Sequence, residues 1–260
     1  MEFQNYYGLE ELLNDKYLHY NKLNFIENDP ILIPHLFSKK EDIEISGFIA
    51  SILAWGQRKT IINKCKELLS YMGNEPYDFI LNFKETDLKP FENFKHRTFN
   101  GTDALYFMEA LKQIYLKFGG LENAFSKGIK KGDNNVKNGI AEFKHIFFSL
   151  ENSPQRTTKH IASPISYSAC KRINMFLRWM VRKDKFGVDL GIWNEISSDK
   201  LICPCDVHVE RVARHLGLIS LPKPTWKMAE ELTNNLRMFD KNDPVKYDFA
   251  LFGLGVEGVL

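Results

Sequence analysis

Apolar residues recur at intervals of three and four along nearly the whole 260-residue chain. That spacing lays one apolar stripe along a helix, whereas a half-buried strand needs strict alternation. It predicts helices over 7–21, 42–55, 58–72, 103–118, 136–149, 168–183, 206–216, 225–238 and 244–254. Alternating runs bounded by turn pairs are scarce. The best strand candidate is Asp199-Lys200-Leu201-Ile202, which reads equally as extended loop. Lys127 to Asn138 is rich in Gly, Lys and Asn and reads as a surface loop or helix break. Prolines fall mostly between helices or in first turns, as Pro244 does after Asp243. No internal repeat is evident, and the expected fold class is all-α.

Composition narrows the class further. With 44% hydrophobic and 26% charged residues, the chain is neither disordered nor collagen-like nor a disulfide mini-protein. No stretch approaches roughly 18 uninterrupted apolar residues, so no membrane span is expected. The first residues, Met1-Glu2-Phe3-Gln4-Asn5-Tyr6-Tyr7, lack the basic and apolar regions of a secretory signal. Cys65, Cys170, Cys203 and Cys205 do not space like a disulfide framework, which fits a reducing, cytoplasmic setting. Cys203-Pro204-Cys205 and His208 are three metal-ligating side chains, but no fourth ligand is evident. The two thiols read as small buried hydrophobes, and neither metal nor cofactor is expected.

The net charge of +2 hides a polarised chain. Residues 1–45 carry nine acidic and four basic residues, net −5. Residues 156–185 carry eight basic residues against Asp184, net +7. On a helix, Lys171, Arg178 and Arg182 fall within about 40° of one another. Ala169, Ile173, Phe176, Leu177 and Met180 fall opposite. One reading is a solvated charged face. The other is an outward cationic stripe that meets the phosphates of a nucleic acid.

The densest local pattern is Cys203-Pro204-Cys205-Asp206-Val207-His208-Val209-Glu210-Arg211-Val212-Ala213-Arg214. Pro204 holds the chain extended, and Asp206 is placed to N-cap a helix whose apolar face is Val209, Val212, Ala213 and Leu216. A carboxylate at a helix N-terminus tends to stay ionised. From spacing alone, Asp206 is either a cap or a cap with a chemical role.

Three segments resemble one family. Asp206 and the X-His-Val-X-Arg-Val-X-Arg pattern behind it resemble the catalytic-aspartate segment of the helix-hairpin-helix DNA glycosylases. Lys171-Arg172-Ile173-Asn174-Met175-Phe176-Leu177-Arg178 is similar to the helix that begins near that superfamily's catalytic lysine, closest to the 8-oxoguanine glycosylase/lyase branches. Phe48-Ile49-Ala50-Ser51-Ile52-Leu53-Ala54-Trp55-Gly56-Gln57 resembles an early helix ending in a Gln-containing turn near the minor groove. The matches lie between about residues 42 and 218. The full-length pattern also resembles an uncharacterised bacterial family related to that superfamily, with a C-terminal segment like Asp243 to Gly255.

The resemblance implies a two-lobed helical bundle: a first lobe over about 42–155, a hairpin-like segment and catalytic helix over about 156–218, and residues 1–41 and 219–260 completing the other lobe. It implies Lys171 as nucleophile and Asp206 as its carboxylate partner. A base buried in duplex DNA is reached by flipping it into a pocket. Breaking its glycosidic bond develops positive charge on the sugar, which a carboxylate stabilises. A lysine amine that attacks the sugar forms a Schiff base and permits strand cleavage; burial or cationic neighbours such as Arg172 are what activate an amine for this. Without the resemblance, Lys171 reads as a phosphate-binding or solvated lysine.

The hairpin departs from the family. Members read Leu-Pro-Gly-Val-Gly, whose glycines let backbone N–H groups approach a phosphate. This chain has Ser163-Pro164-Ile165-Ser166-Tyr167-Ser168-Ala169-Cys170. Either the hairpin is remodelled or Ser166 and Ser168 replace its phosphate contact. Gly187 to Trp193 is expected to form an extra loop or turn. All four cysteines precede Asp206, so no iron–sulfur cluster of the kind some members carry is expected.

The DNA-contacting set is then Ser166, Ser168, Arg172, Arg178, Arg182, Gln57 and Arg58. Phe249 and Phe252 are placed to stack on an extruded base, with Trp55, Gln57 and Arg58 filling the gap; aromatics at helical spacing otherwise read as core. His208 and His215 read as structural, and Arg211 and Arg214 as phosphate contacts or loop caps. The expected partner is double-stranded DNA with a damaged base, with no membrane and no protein partner. The expected activity is a glycosylase with lyase function on a damaged purine such as 8-oxoguanine. The alternatives are a non-catalytic DNA-binding module on the same scaffold and a helical protein-interaction domain.

Overall fold

The structure is a computed structural model that describes residues 3–258, with side-chain surroundings from residue 8 onward. It is predominantly helical. Two compact units divide the chain: one holds residues up to Phe25, Asn134–Val136 and the chain from Ser163, and the other holds Ile26–Asp133 and Lys137–Ala162. The division differs from the lobe boundaries expected from sequence, because residues 26–41 belong with the middle of the chain. There the short turns Pro30–Leu32 and Pro34–Leu36 pack on the following helix.

The first unit opens with α1 (Phe3–Tyr20). The second unit contains α2 (Lys40–Leu53), α3 (Arg58–Ser70), α4 (Pro76–Asn82), α5 (Lys89–Glu92), α6 (Gly101–Phe118), α7 (Leu121–Ser126) and α8 (Lys137–Phe147). The chain then returns to the first unit with α9 (Lys171–Val181), α10 (Val207–His215), α11 (Trp226–Leu236) and α12 (Asp248–Glu257). The nine helices expected from periodicity are all present. The periodicity did not show α4, α5 and α7, which are too short to establish a stripe. Among the described residues the strands are one hairpin, Lys95–His96 paired antiparallel with Phe99–Asn100. The strand candidate at 199–202 is instead a 3-10 turn, Ser198–Lys200, followed by extended chain.

In the second unit α2 is buried from Ile43 through Leu53. Phe48 stacks on Phe107 and meets Phe143 edge-on, while Phe125 and Phe143 stack with centroids 3.7 Å apart. The main buried charge here is Asp103. It closes a capping box with Asn100 at the start of α6, accepts Thr157 Oγ1 at 2.8 Å and pairs with Arg156 at 2.5 Å and His160 at 3.2 Å. Burial by itself raises the Asp103 pKa; hydrogen bonds from His160, the Asn100 N–H and Thr157 outweigh it and hold the carboxyl down at about 2. Arg156, one cation of the basic run, is committed to this internal pair.

In the first unit α12 packs against both α1 and α10. Its glycines allow the approach: a Cβ at Gly253 would lie 2.3 Å from the Tyr20 ring, and one at Gly255 would lie 2.7 Å from the His208 Cβ. The Gly255 carbonyl accepts from Arg211 Nη2 at 2.6 Å and lies 3.2 Å from His208 Nδ1.

Candidate functional site

Asp206 has the extended backbone of a cap, with φ −102° and ψ −177°. Its Oδ1 accepts the N–H groups of His208 and Val209, both at 2.8 Å. Two charge-assisted bonds from the first turn of α10 therefore fix the carboxylate. The second oxygen, Oδ2, points elsewhere and lies 3.4 Å from Lys171 Nζ. Lys171 is the first residue of α9, and its side chain is 40% exposed against 10% for Asp206. Residues 35 apart in sequence thus place an amine and an anchored carboxylate in one ion pair, with the amine open to solvent. A neutral amine there is a nucleophile, and the carboxylate can take its proton or stabilise an adjacent cation.

The segment before Lys171 makes two left-handed turns without glycine. Ser163 Oγ accepts the Ile165 N–H at 3.3 Å and starts a 3-10 turn, Pro164–Ser166. Tyr167 then takes φ +60° and Cys170 takes φ +49°. Ser168 Oγ accepts the Cys170 N–H at 3.1 Å, so this serine is occupied in supporting the turn. Ser168 also bridges to Thr225, and the Trp226 N–H reaches the Tyr167 carbonyl at 3.3 Å. α9 starts three residues later than periodicity suggested because these turns occupy 163–170. Ile165, Ser166 and Tyr167 are exposed at the tip.

The cationic stripe on α9 does not face outward. Arg178 is 5% exposed and Arg182 is fully buried. Arg178 pairs with Asp248, and its Nε lies 3.1 Å from Asp189. Arg182 pairs with Asp184 at 2.7 Å, Asp189 at 2.9 Å and Asp243 at 2.9 Å, and donates to Tyr17 Oη at 2.8 Å. The expectation that these two arginines contact DNA is therefore corrected: both are consumed by carboxylates from the 184–189 loop and the 243–248 segment. The angular arrangement on the helix is as expected; the stripe is simply covered. Arg172 is half-buried, and burial lowers its pKa.

Asp248 deepens this network toward the candidate pair. It is buried between Arg178 and the Cys203 thiol, whose Sγ lies 3.8 Å from its Oδ1. Burial pushes the Asp248 carboxyl up to about 6 against the opposing pull of Arg178, and the negative charge of Asp206 adds to the rise. Burial likewise pushes Cys203 well up and Cys205 up to about 12, so both are thiols and not thiolates at neutral pH. No group of three or more His, Cys, Asp or Glu side chains converges on a metal-sized site among the described residues.

The proposed base-stacking residues are distributed differently from expectation. Phe249 is 1% exposed, sits edge-on to Phe25 and lies under the Arg178 guanidinium at 4.4 Å. It is core, which corrects its assignment to an open pocket. Phe252 is half-buried between Phe25 and His208. Trp55, Gln57 and Arg58 belong to the other unit. There the Arg97 guanidinium covers the Trp55 ring at 5.0 Å, Gln57 precedes α3, and Arg58 is exposed at its first residue. Sequence reasoning passed over Asp189 and Asp248, although acids at 184–189 and 240–248 were signals that the arginines had internal partners. It also passed over Tyr167, for which no signal existed.

No helix among the described residues is long and apolar enough to cross a membrane. No curated protein and no solved structure matches the chain. A family model does: that of a protein of unknown function, DUF2400, over residues 29–257.

Proposed function

The chain belongs to the DUF2400 family, and we propose that it is a DNA base-excision glycosylase with abasic-site lyase activity, built on a helix-hairpin-helix glycosylase type of scaffold. The observation that carries the reading is the Lys171 Nζ to Asp206 Oδ2 distance of 3.4 Å, with Asp206 held by two amides of α10. The substrate is duplex DNA with a flipped, damaged purine such as 8-oxoguanine. Lys171, after giving a proton to Asp206, attacks the sugar carbon that bears the base. The carbon–nitrogen bond to the base breaks as the new one forms, and the proton on Asp206 is available to the departing base. Opening of the sugar ring leaves a Schiff base on Lys171, from which elimination of the 3′ phosphate cuts the strand. Once that proton has passed to the base, the Asp206 carboxylate stabilises the positive charge left on the sugar.

Borohydride trapping on a panel of lesion-containing and abasic duplexes tests this. The expected result is a covalent protein–DNA adduct that disappears in Lys171→Gln, with excision slowed by about 10²–10⁴-fold in Asp206→Asn. Excision that persists in Lys171→Gln would leave a glycosylase without lyase function. Intact lesions and no adduct across the panel would sink the enzymatic reading. Salt-sensitive DNA binding without incision would then favour a binding module, which the exposed tip at Ile165–Tyr167 already suits.

A further inference from the structure

Asp248 is buried and takes no part in the chemistry proposed above. Neutralising Arg178 does not account for it. Asp189 already accepts from Arg178 Nε at 3.1 Å. Arg182, four residues on, is met by Asp184, Asp189 and Asp243. A second carboxylate on the Arg178 guanidinium costs desolvation and has no cation of its own.

Its position supplies a reason. Asp248 opens α12, and Asp206 caps α10. The two helices pack together, with Gly255 against His208. The Cys203 Sγ lies 3.8 Å from Asp248 Oδ1. Asp206 follows Cys203 by three residues, a reach of at most about 10 Å between α-carbons. The buried Cys205 thiol between them feels the charge of both carboxylates. Asp248 is faced by Arg178 from α9, by Asp189 from the 184–189 loop, and by Cys203, Cys205 and Asp206 from the segment that leads into α10. Tyr17 of α1 reaches the same network through Arg182. Lys246, two residues back, pairs with Asp240, and His208 and Arg211 meet the far end of α12 at Gly255. Both thiols are neutral at neutral pH, and arginine does not give up its proton in proteins.

Coupling between two carboxylates is mutual. Burial holds the Asp248 carboxyl up at about 6, and the Asp206 charge adds to the rise. An ionised Asp248 must then make Asp206 a better proton acceptor by the same amount, and burial keeps salt from screening the effect. The proton that Lys171 gives up passes from the more exposed amine to the less exposed carboxylate.

We infer that Asp248 is a positioning residue for that proton: with its charge on it draws the proton from Lys171 onto Asp206, and with a proton of its own it withdraws the pull. This deepens the function proposed above and rests on it for the role of Lys171 as nucleophile. The pull comes on as pH rises through about 6.

Carbon-13 NMR of the aspartate carboxyls tests the coupling without DNA. The Asp248 carboxyl, assigned through its backbone, should titrate near pH 6 in wild type and lower by about half a unit or more in Asp206→Asn. Asparagine also caps, so that variant keeps the start of α10. An Asp248 titration that Asp206→Asn leaves in place refutes the coupling. The consequence is read in the pH profile of borohydride-trapped adduct on an abasic duplex. Asp248→Asn should form adduct about three- to ten-fold more slowly than wild type at pH 8 and at the same rate at pH 5, where wild-type Asp248 also carries a proton. An equal loss at both pH values would make Asp248 structural only and overturn the proposal. A rise through pH 6 that survives in Asp248→Asn would do so too, because histidines such as His208 change charge in that range. An adduct without coupling refutes this role alone, and coupling without any adduct refutes the enzymatic reading alone.

Discussion

The two units treat buried charge in different ways. The second closes over phenylalanine rings, with Phe48, Phe107, Phe125, Phe143 and Phe147 in mutual contact. Its buried Asp103 is over-supplied with donors and stays ionised to about pH 2. The first also buries an apolar set that includes Phe176, Trp179, Trp226 and Phe249, and adds two guanidinium groups, Arg178 and Arg182, facing Asp184, Asp189, Asp243 and Asp248. Burial raises the Asp248 carboxyl to about 6 against the pull of Arg178, and the charges of Asp206 and Asp189 add to the rise. Apolar packing is non-directional, whereas an arginine fork fixes the elements that carry its partners. The unit that holds the Lys171–Asp206 pair is the one that adds a buried arginine–carboxylate network to its apolar core.

The largest test of this contrast is a pair of truncations. Arg182→Ala should cost about 3–5 kcal/mol, because it strands buried carboxylates. Phe143→Ala should cost a similar amount, about 3–5 kcal/mol, through the cavity it opens. The two separate with pH. Stranded carboxylates take up protons on acidification, so the Arg182→Ala penalty should shrink between pH 8 and pH 5 in urea unfolding, while the Phe143→Ala penalty stays level. Equal behaviour would erase the distinction between the cores.

A smaller effect, about 2–3 kcal/mol for each group, is expected in the pH profile of wild type. The Asp248 value of about 6 lies above that of an unfolded aspartate, about 3.9, so its contribution is full below about pH 4 and is lost as pH rises through 6. The Asp103 value of about 2 lies below the unfolded one, so its contribution is present above about pH 4 and is lost as pH falls through 2. Asp248→Asn should flatten the upper window and Asp103→Asn the lower one. A single mutation that flattened both would show that the units do not titrate separately.

The smallest effect isolates the cap. Asp206→Ala should cost about 1 kcal/mol, whereas Asp206→Ser should keep most of that stability because serine also accepts from the first turn. Base excision should be lost in both. If Asp206→Ser retained excision, the carboxylate would be a cap and nothing more.

Much of this architecture is readable in the residues. Helical periodicity places the long helices, and Pro204 followed by Asp206 marks the start of α10 because capping is a local event. Two things were out of reach, for different reasons. The helical wheel orders Lys171, Arg178 and Arg182 correctly but does not say what covers that face; the carboxylates on Arg182 come partly from Asp243, 61 residues away. The turns at Tyr167 and Cys170 take a conformation that glycine usually announces, and here neither residue announces it. Periodicity reports how a segment folds on itself, and partners distant in sequence decide which side is outside.

The close approach at Gly255 has a mechanical consequence. The residue it touches, His208, donates one of the two amides that hold Asp206. A methyl group at Gly255 would have to push against the His208 backbone, 2.9 Å from its carbonyl oxygen, and so against the helix that carries the carboxylate. The close contact of α12 therefore braces the first turn of α10, which carries the Asp206 cap.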